Sequence, residues 1–474
     1  MSFWLWVLGS AYLVLLGVAA WRSYRRNQSA DDYALAGSNV GVFLGFLTFS
    51  ATLFSTFTLM GMPDFFRTHG VGAWIFLAVS DGAMVFLVVW FGYHLRRKVA
   101  RKGFQGMSGL MTACYGSRWA GYVFYAGVFL FLVPYVAIQV RGIAVFLNSA
   151  YPAALPAWAW ASIIVIVMLI YSEIGGLKAI MYSDVMQGLL LLTMTWVIAV
   201  QCIDHFGGIR PMFDEVERVN EALLSVPGPN GLFGIPFLIA SFFAILMIPV
   251  TQPQLTIRVV VMRNLRATHR MAVAVGFFAM IVILPTIAIG MYGAVRYPEA
   301  PAAEFWAQVL LFEQPGLVAA AVIVGLVAAA MSTADSQIFA LGTELRSLLT
   351  GEERAVMRRT RIAIVVFAAA ALVFSILSSD QLVALALKSF QGTSMLAPMV
   401  FAAVFSARTP GREVIALTAL ALLAYIASLL GWLPAAVATV PVELVILLTA
   451  ALLTLVSVVV RQRQPVAAGP APRS

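Results

Sequence analysis

Of 474 residues, 62% are hydrophobic and 11% charged, far too much apolar surface for a water-soluble globule of this length. The net charge of +9, which in a soluble chain would point to nucleic acid, is then loop charge at a membrane surface. The chain is an all-α integral membrane protein, because helices satisfy their own backbone groups in lipid.

Apolar windows of about 20 residues, enough to cross a bilayer, start near Phe3, Gly41, Ala73, Trp119, Trp158, Ser183, Ile235, Ala272, Gly316, Ile362, Leu382, Glu413 and Val442, thirteen expected spans. With the N-terminus outside and the C-terminus inside, 24 of the 30 Lys and Arg fall in inner loops, as the positive-inside rule requires. The basic cluster RSYRR follows the first apolar run with no small-residue cleavage site, so that run reads as an anchored helix of a multi-pass inner (plasma) membrane protein. Cys114 and Cys202 fall on opposite faces and cannot bridge.

Residues 1–40 hold an extra helix and inner loop. Five spans follow at 41–203, an outer loop at 204–234, five more spans at 235–406, and two extra helices with the tail QPVAAGPAPRS, read as disordered, at 407–474. An odd number of spans per unit makes a second copy enter the membrane from the other side, the inverted-repeat architecture of transporters. Residue-level similarity between the halves is not visible.

Polar side chains at membrane depth are costly, and each is a functional candidate. In FLGFLTFSATLFSTFTLMGMPDFF (43–66), Ser50, Thr52, Ser55, Thr56 and Thr58 crowd the middle. Either the helix unwinds near 51–55 and frees carbonyls for a cation, or the hydroxyls bond one turn back in an intact helix. In AAAMSTADSQ (328–337), Ala329, Ser332, Thr333 and Ser336 share one helical face, with Asp335 about one turn towards the cytoplasm. That face is either a set of oxygen donors for Na⁺ or a small-residue packing surface.

Asp81 either contacts a solute or is satisfied by a neighbouring helix. Arg141 either grips a carboxylate or snorkels to the interface. Lys388, at membrane depth, calls for a partner such as Asp81 or a substrate acid. Phe54, Phe57, Tyr135, Phe242 and Phe243 are candidate gates around a small solute. Enzyme readings fail: the four histidines are dispersed, with no zinc spacing, nucleophile elbow or Walker A loop.

YSEIGGLKAIMYSDVMQG (171–188) resembles the Y-x-x-x-G-G-x-x-A-x-x-x-[ST]-D-x-x-Q pattern of the sodium:solute symporter family, with Tyr171, Gly175, Gly176, Ala179, Ser183, Asp184 and Gln187 in place. DDYALAG (31–37), TQPQLTIRVVVMRN (251–264) and AAMST (329–333) are similar to three further family segments. The resemblance, over roughly residues 1–460, implies a LeuT-type 5+5 inverted repeat that alternates access to a central site. It implies a Na⁺ site of the carbonyls of Ala51, Phe54 and Ala329 and the hydroxyls of Ser332 and Thr333. Asp184 matches an acid near the inner cation exit. Asp335 and Ser336 stand where some members have a serine pair, an additional cation or proton position. Ser55 and Thr58 match positions that hold a substrate carboxylate, and Tyr135 matches one lining the substrate cavity. Gln139, Asp81, Arg141 and Lys388 complete the expected substrate set. Leu53 departs from the acid of proline-type members.

The expectation is therefore Na⁺-coupled import of a small organic solute bearing a carboxylate, an amino acid or monocarboxylate. The alternatives are a proton-coupled transporter of the same fold and a transporter-like sensor acting through a partner. No obligate protein partner is evident.

Overall fold

The computed structural model describes residues 2–26 and 35–463. Residues 31–34 of DDYALAG, the side chains at 170–175 (Tyr171 and Gly175 among them), part of RSYRR and the tail from 464 onwards lie outside the described residues.

The helices, in chain order, begin with α1 (Ser2–Arg26), α2 (Val42–Leu53), α3 (Phe57–His69), α4 (Ile75–Lys102), α5 (Met107–Tyr115) and α6 (Arg118–Ala150). Then come α7 (Ala157–His205), α8 (Ile209–Asn220), α9 (Ile235–Thr251), α10 (Pro253–Val260), α11 (Leu265–Arg296) and α12 (Ala302–Phe312). The chain continues through α13 (Gly316–Arg346), α14 (Glu353–Leu377), α15 (Leu382–Ser394), α16 (Ala397–Phe405), α17 (Arg412–Leu429) and α18 (Val442–Arg463). A two-residue hairpin, Ala436–Val437 with Val440–Pro441, is the one strand pair among the described residues.

Nine of these helices are long and apolar enough to cross a membrane, eleven spans if each bent pair counts as one. The other two expected starts lead into shorter helices. The one near Trp158 opens the first part of α7, which breaks at Gly176 (φ 63°, ψ −176°). The one near Leu382 opens α15, which gives way to α16 around Met395. The basic segment ahead of Trp119 and the outer loop 204–234 carry short helices of their own, α5 and α8.

Both bent pairs, α2/α3 and α9/α10, turn by 55°. Each break is made by a single extended residue, Phe54 (φ −99°, ψ 126°) and Gln252 (φ −99°, ψ 113°). Gln252 precedes Pro253, and a residue before proline is driven out of the helical region. The first break has no proline. There Ser55 and Thr58 form a reciprocal cap: the Ser55 hydroxyl accepts from Phe57 N–H at 3.3 Å and the Thr58 hydroxyl from Ser55 N–H at 3.2 Å.

The α13 helix, rich in Gly and Ala, is buried along most of its length and packs on α7, α6, α1 and α14. Small side chains permit that close approach in lipid. It lies beside the first break.

Candidate cation site and its surroundings

The first break and α13 meet through oxygen atoms. The Ser332 hydroxyl is 3.1 Å from the Ala51 carbonyl, and the Thr333 hydroxyl is 3.5 Å from Ala51 O and 3.4 Å from Thr52 O. A hard cation with oxygen bonds of about 2.4 Å places ligands at right angles about 3.4 Å apart, using Ca²⁺-like distances for a similar radius. The spacing fits such an ion. Phe54 and Ala329, the other expected contributors, are both buried, Phe54 at the bend itself and Ala329 one turn before Thr333.

Behind this cluster lies a buried ion pair. Arg258 on α10 donates from Nη2 to Asp184 Oδ2 at 2.8 Å, and both side chains are at most 1% exposed. Thr48 on α2 donates to the same carboxylate oxygen and accepts from Arg258 Nε at 2.9 Å. Arg258 also reaches Ser336 Oγ at 2.7 Å and the Gln254 carbonyl at 2.6 Å. The second carboxylate oxygen, Asp184 Oδ1, is 2.6 Å from Ser332 Oγ.

A hydroxyl has one proton, and the closer, charged oxygen takes it. Asp184 therefore turns the Ser332 lone pairs towards the space shared with Ala51. The acid orients a cation donor while its own charge is matched by Arg258.

Of the additional cation candidates, Ser336 is engaged by Arg258 and lies 3.3 Å from Thr52 Oγ1, so a guanidinium already sits against Asp184 and Ser336. Asp335 is buried with Oδ1 lacking a hydrogen-bond partner.

The expected substrate residues divide. Tyr135 is buried and its hydroxyl donates to the Leu53 carbonyl at the break, 3.4 Å away. Gln139 donates to Tyr135 O and keeps a buried, unpartnered Oε1. Ser55 and Thr58 sit at the break as its cap, and Asp81 is buried on α4. Two cations are not there. Arg141 pairs with Asp380 at 2.8 Å, so it neither snorkels unpaired nor waits for a substrate acid. Lys388 points from the exposed face of α15 and is not Asp81's partner. Among the candidate gates, Phe54 packs on Phe278, while Phe57 and Tyr135 converge on Phe390, which sequence reasoning passed over. Phe242 and Phe243 touch each other and are half-buried.

Sequence reasoning also missed Arg258, counted as a loop cation, and Thr48. A lone arginine inside TQPQLTIRVVV was the available signal. Two helix-end contacts were unforeseen as well. Glu344 on α13 accepts from the Met107 and Ser108 N–H groups (2.7 and 2.5 Å) and caps α5. Arg96 binds the carbonyls of Val259, Val260 and Met262 at the end of α10. Beside Arg96, Val40 bridges to Val261 and Arg263 through two backbone hydrogen bonds, joining the chain ahead of the first broken span to the chain after the second.

Comparison with known proteins bears on the family and the fold. The chain is similar to the sodium/pantothenate symporter of Escherichia coli, 22% identical over 286 residues, spanning 60% of this chain and 58% of that one. Its fold matches a Na⁺-coupled sialic acid symporter solved in a substrate-bound outward-open state, with a TM-score of 0.79 over 99% of both chains at 16% identity. It also matches the LeuT-fold transporter Mhp1, of the nucleobase-cation-symport-1 family, with a TM-score of 0.60 over 91% of this chain and 94% of that one at 14% identity. The description of the sodium:solute symporter family fits residues 33–412, a family of membrane transporters and not of enzymes; this chain belongs to it.

Proposed function

We propose that the protein imports a small organic solute by Na⁺-coupled symport across the cell's inner membrane. Na⁺ binds between the carbonyls of Ala51, Phe54 and Ala329 and the hydroxyls of Ser332 and Thr333. The observation that carries this reading is the convergence of the Ser332 and Thr333 hydroxyls on the carbonyls freed at the first break. Residues 41–203 and 235–406 act as the two inverted units, supported by the paired 55° bends, with the N-terminus outside and thirteen crossings in all.

The ion bridges α2 to α13 and thereby favours the outward-open state that receives solute. An inward Na⁺ gradient supplies the work: the membrane potential alone contributes about 2.3 kcal/mol per charge at 100 mV, enough for accumulation by tens-fold. The expected carboxylate on the solute loses two of its four supports, since Arg141 and Lys388 lie elsewhere.

The double variant Ser332→Ala, Thr333→Ala is expected to remain inserted and folded and to lose Na⁺-dependent uptake in proteoliposomes by at least about tenfold, within the usual coupling range. Unchanged Na⁺ dependence refutes the cation site. Counterflow of labelled solute excludes a pure sensor, which shows none. A second reading, proton coupling, is favoured by the unpartnered oxygen of buried Asp335; uptake driven by a pH gradient without Na⁺ would select it.

A further inference from the structure

The arginines at the start of α14 take no part in the transport reading. Arg354, Arg358 and Arg361 recur at i, i+4 and i+7 and so project from one side of the helix. With Glu353, Met357 and Ile362 they line a recess of about 690 Å³. Glu353, the one acid in that lining, is engaged by Arg346 of α13 at 3.5 Å. Arg354 and Arg358 are exposed and make no hydrogen bond or ion pair among the described residues. Two guanidinium groups one turn apart repel each other, and an anion between them relieves the repulsion.

Depth decides which anion that is. The α14 helix is long and apolar enough to cross a membrane, and all its charges lie at or before Arg361. Residues 362–377 carry none and extend about 24 Å at 1.5 Å per residue, most of a hydrocarbon core of about 30 Å. The arginines therefore stand where that core gives way to headgroups. Directly beyond them the helix exposes Ile362 (55%), Val365 (55%) and Val366 (53%), an apolar surface for lipid chains to cover.

Val365 is eleven residues, three turns, from Arg354 and lies on the same side of the helix as the arginines. A phospholipid whose chains cover Val365 thus brings its phosphate to Arg354 and Arg358, and a guanidinium binds phosphate oxygens bidentately. A zwitterionic headgroup sets a further positive charge beside the arginines, whereas an anionic one does not. Basic pockets at a membrane surface select anionic lipid for that reason.

We infer that α14 carries a binding site for an anionic phospholipid, its phosphate held by Arg354 and Arg358 in the recess and its chains laid along Ile362, Val365 and Val366. The site is independent of the ion and of the solute carried. It lies at the end of a helix that packs on α6, α7 and α13.

The test titrates the purified full-length protein in detergent with dioleoyl phosphatidylglycerol, with phosphatidylcholine bearing the same chains, and with inorganic phosphate, reading the thermal midpoint. Phosphatidylglycerol is expected to raise that midpoint by mass action, and the other two to raise it far less. In Arg354→Gln, Arg358→Gln the phosphatidylglycerol concentration giving half the shift should rise at least about tenfold. The lipid-free midpoint should hold in that variant, because neither side chain has a partner to lose. Arg266→Gln, Arg270→Gln removes the same charge at the same spacing from the exposed start of α11 and should leave that concentration unchanged. An equal loss in both double variants means general surface charge, and an equal response to the two lipids means no headgroup selection. Stabilisation by inorganic phosphate that matches phosphatidylglycerol makes a free anion the occupant. Any of these results, or no response to phosphatidylglycerol, overturns the inference.

Discussion

The two broken spans bend by the same 55° through one extended residue apiece, yet they are built from different chemistry and dispose of their freed carbonyls differently. At the second break, proline does the bending. The one Thr256 hydroxyl proton lies between Pro249 O (3.2 Å) and Gln252 O (3.0 Å), and Gln252 O also accepts the Leu255 and Thr256 N–H groups, so Pro249 O, ahead of the break, has a donor within the same segment. At the first, Ser55 and Thr58 cap only the N–H side. The carbonyls of Ala51 and Thr52 are left to hydroxyls from α13. Equal geometry thus gives one self-contained hinge and one open set of oxygens, and only the open set suits an ion.

Arg258 connects the two. It rises from α10, just past the second break, and grips Thr48 on α2 and Asp184 on α7. Arg258→Ala should produce the largest effect of any single change here. Removing one member of a buried pair leaves the other charge uncompensated, at a cost of about 3–5 kcal/mol. The monodisperse yield in size-exclusion chromatography should collapse, with partial recovery in Arg258→Gln, Asp184→Asn, where both charges are gone. If Arg258→Ala folds normally and keeps its Na⁺ dependence, the two breaks are not joined in the way the geometry shows.

How much of this was legible in the sequence depends on how local the signal is. Hydroxyl density in FSATLFSTFT put the first break forward as one of two readings, and the cap that decides it, Ser55 with Thr58, lies within four residues. The second break carried the plainer mark, Gln252 before Pro253, but attention to polar side chains passed over a proline whose consequence is purely backbone. Arg141 and Lys388 were assigned to substrate because depth along a helix is readable while the far partner is not. Asp380 is 239 positions away from Arg141. Arg258 was placed in a loop for a related reason: a hydropathy window ends a span where charge begins, although a charge that meets Asp184 continues the interior. The Ala329–Ser332–Thr333 face was readable from helical periodicity, but the role of Asp184 in orienting Ser332 needs three helices brought together.

A smaller effect sharpens the contrast at the first break. Ser55→Ala and Thr58→Ala each remove one half of the reciprocal cap and should cost about 1 kcal/mol of local stability. Because the same turn presents Ala51 and Thr52, the Na⁺ concentration for half-maximal uptake should rise several-fold in either variant. A fall in thermal stability with an unmoved Na⁺ midpoint would separate capping from cation binding.

The smallest change expected is at the second break. Thr256→Val keeps the shape of the side chain and removes its donor, leaving Pro249 O and Gln252 O without that hydroxyl, for a loss of about 1 kcal/mol. If this hinge is self-contained, the loss appears in thermal stability alone, and the Na⁺ midpoint of uptake stays at the wild-type value. A shift there comparable to that of Ser55→Ala would mean that the proline-made bend also reports to the ion, and the two breaks would then differ in construction but not in function.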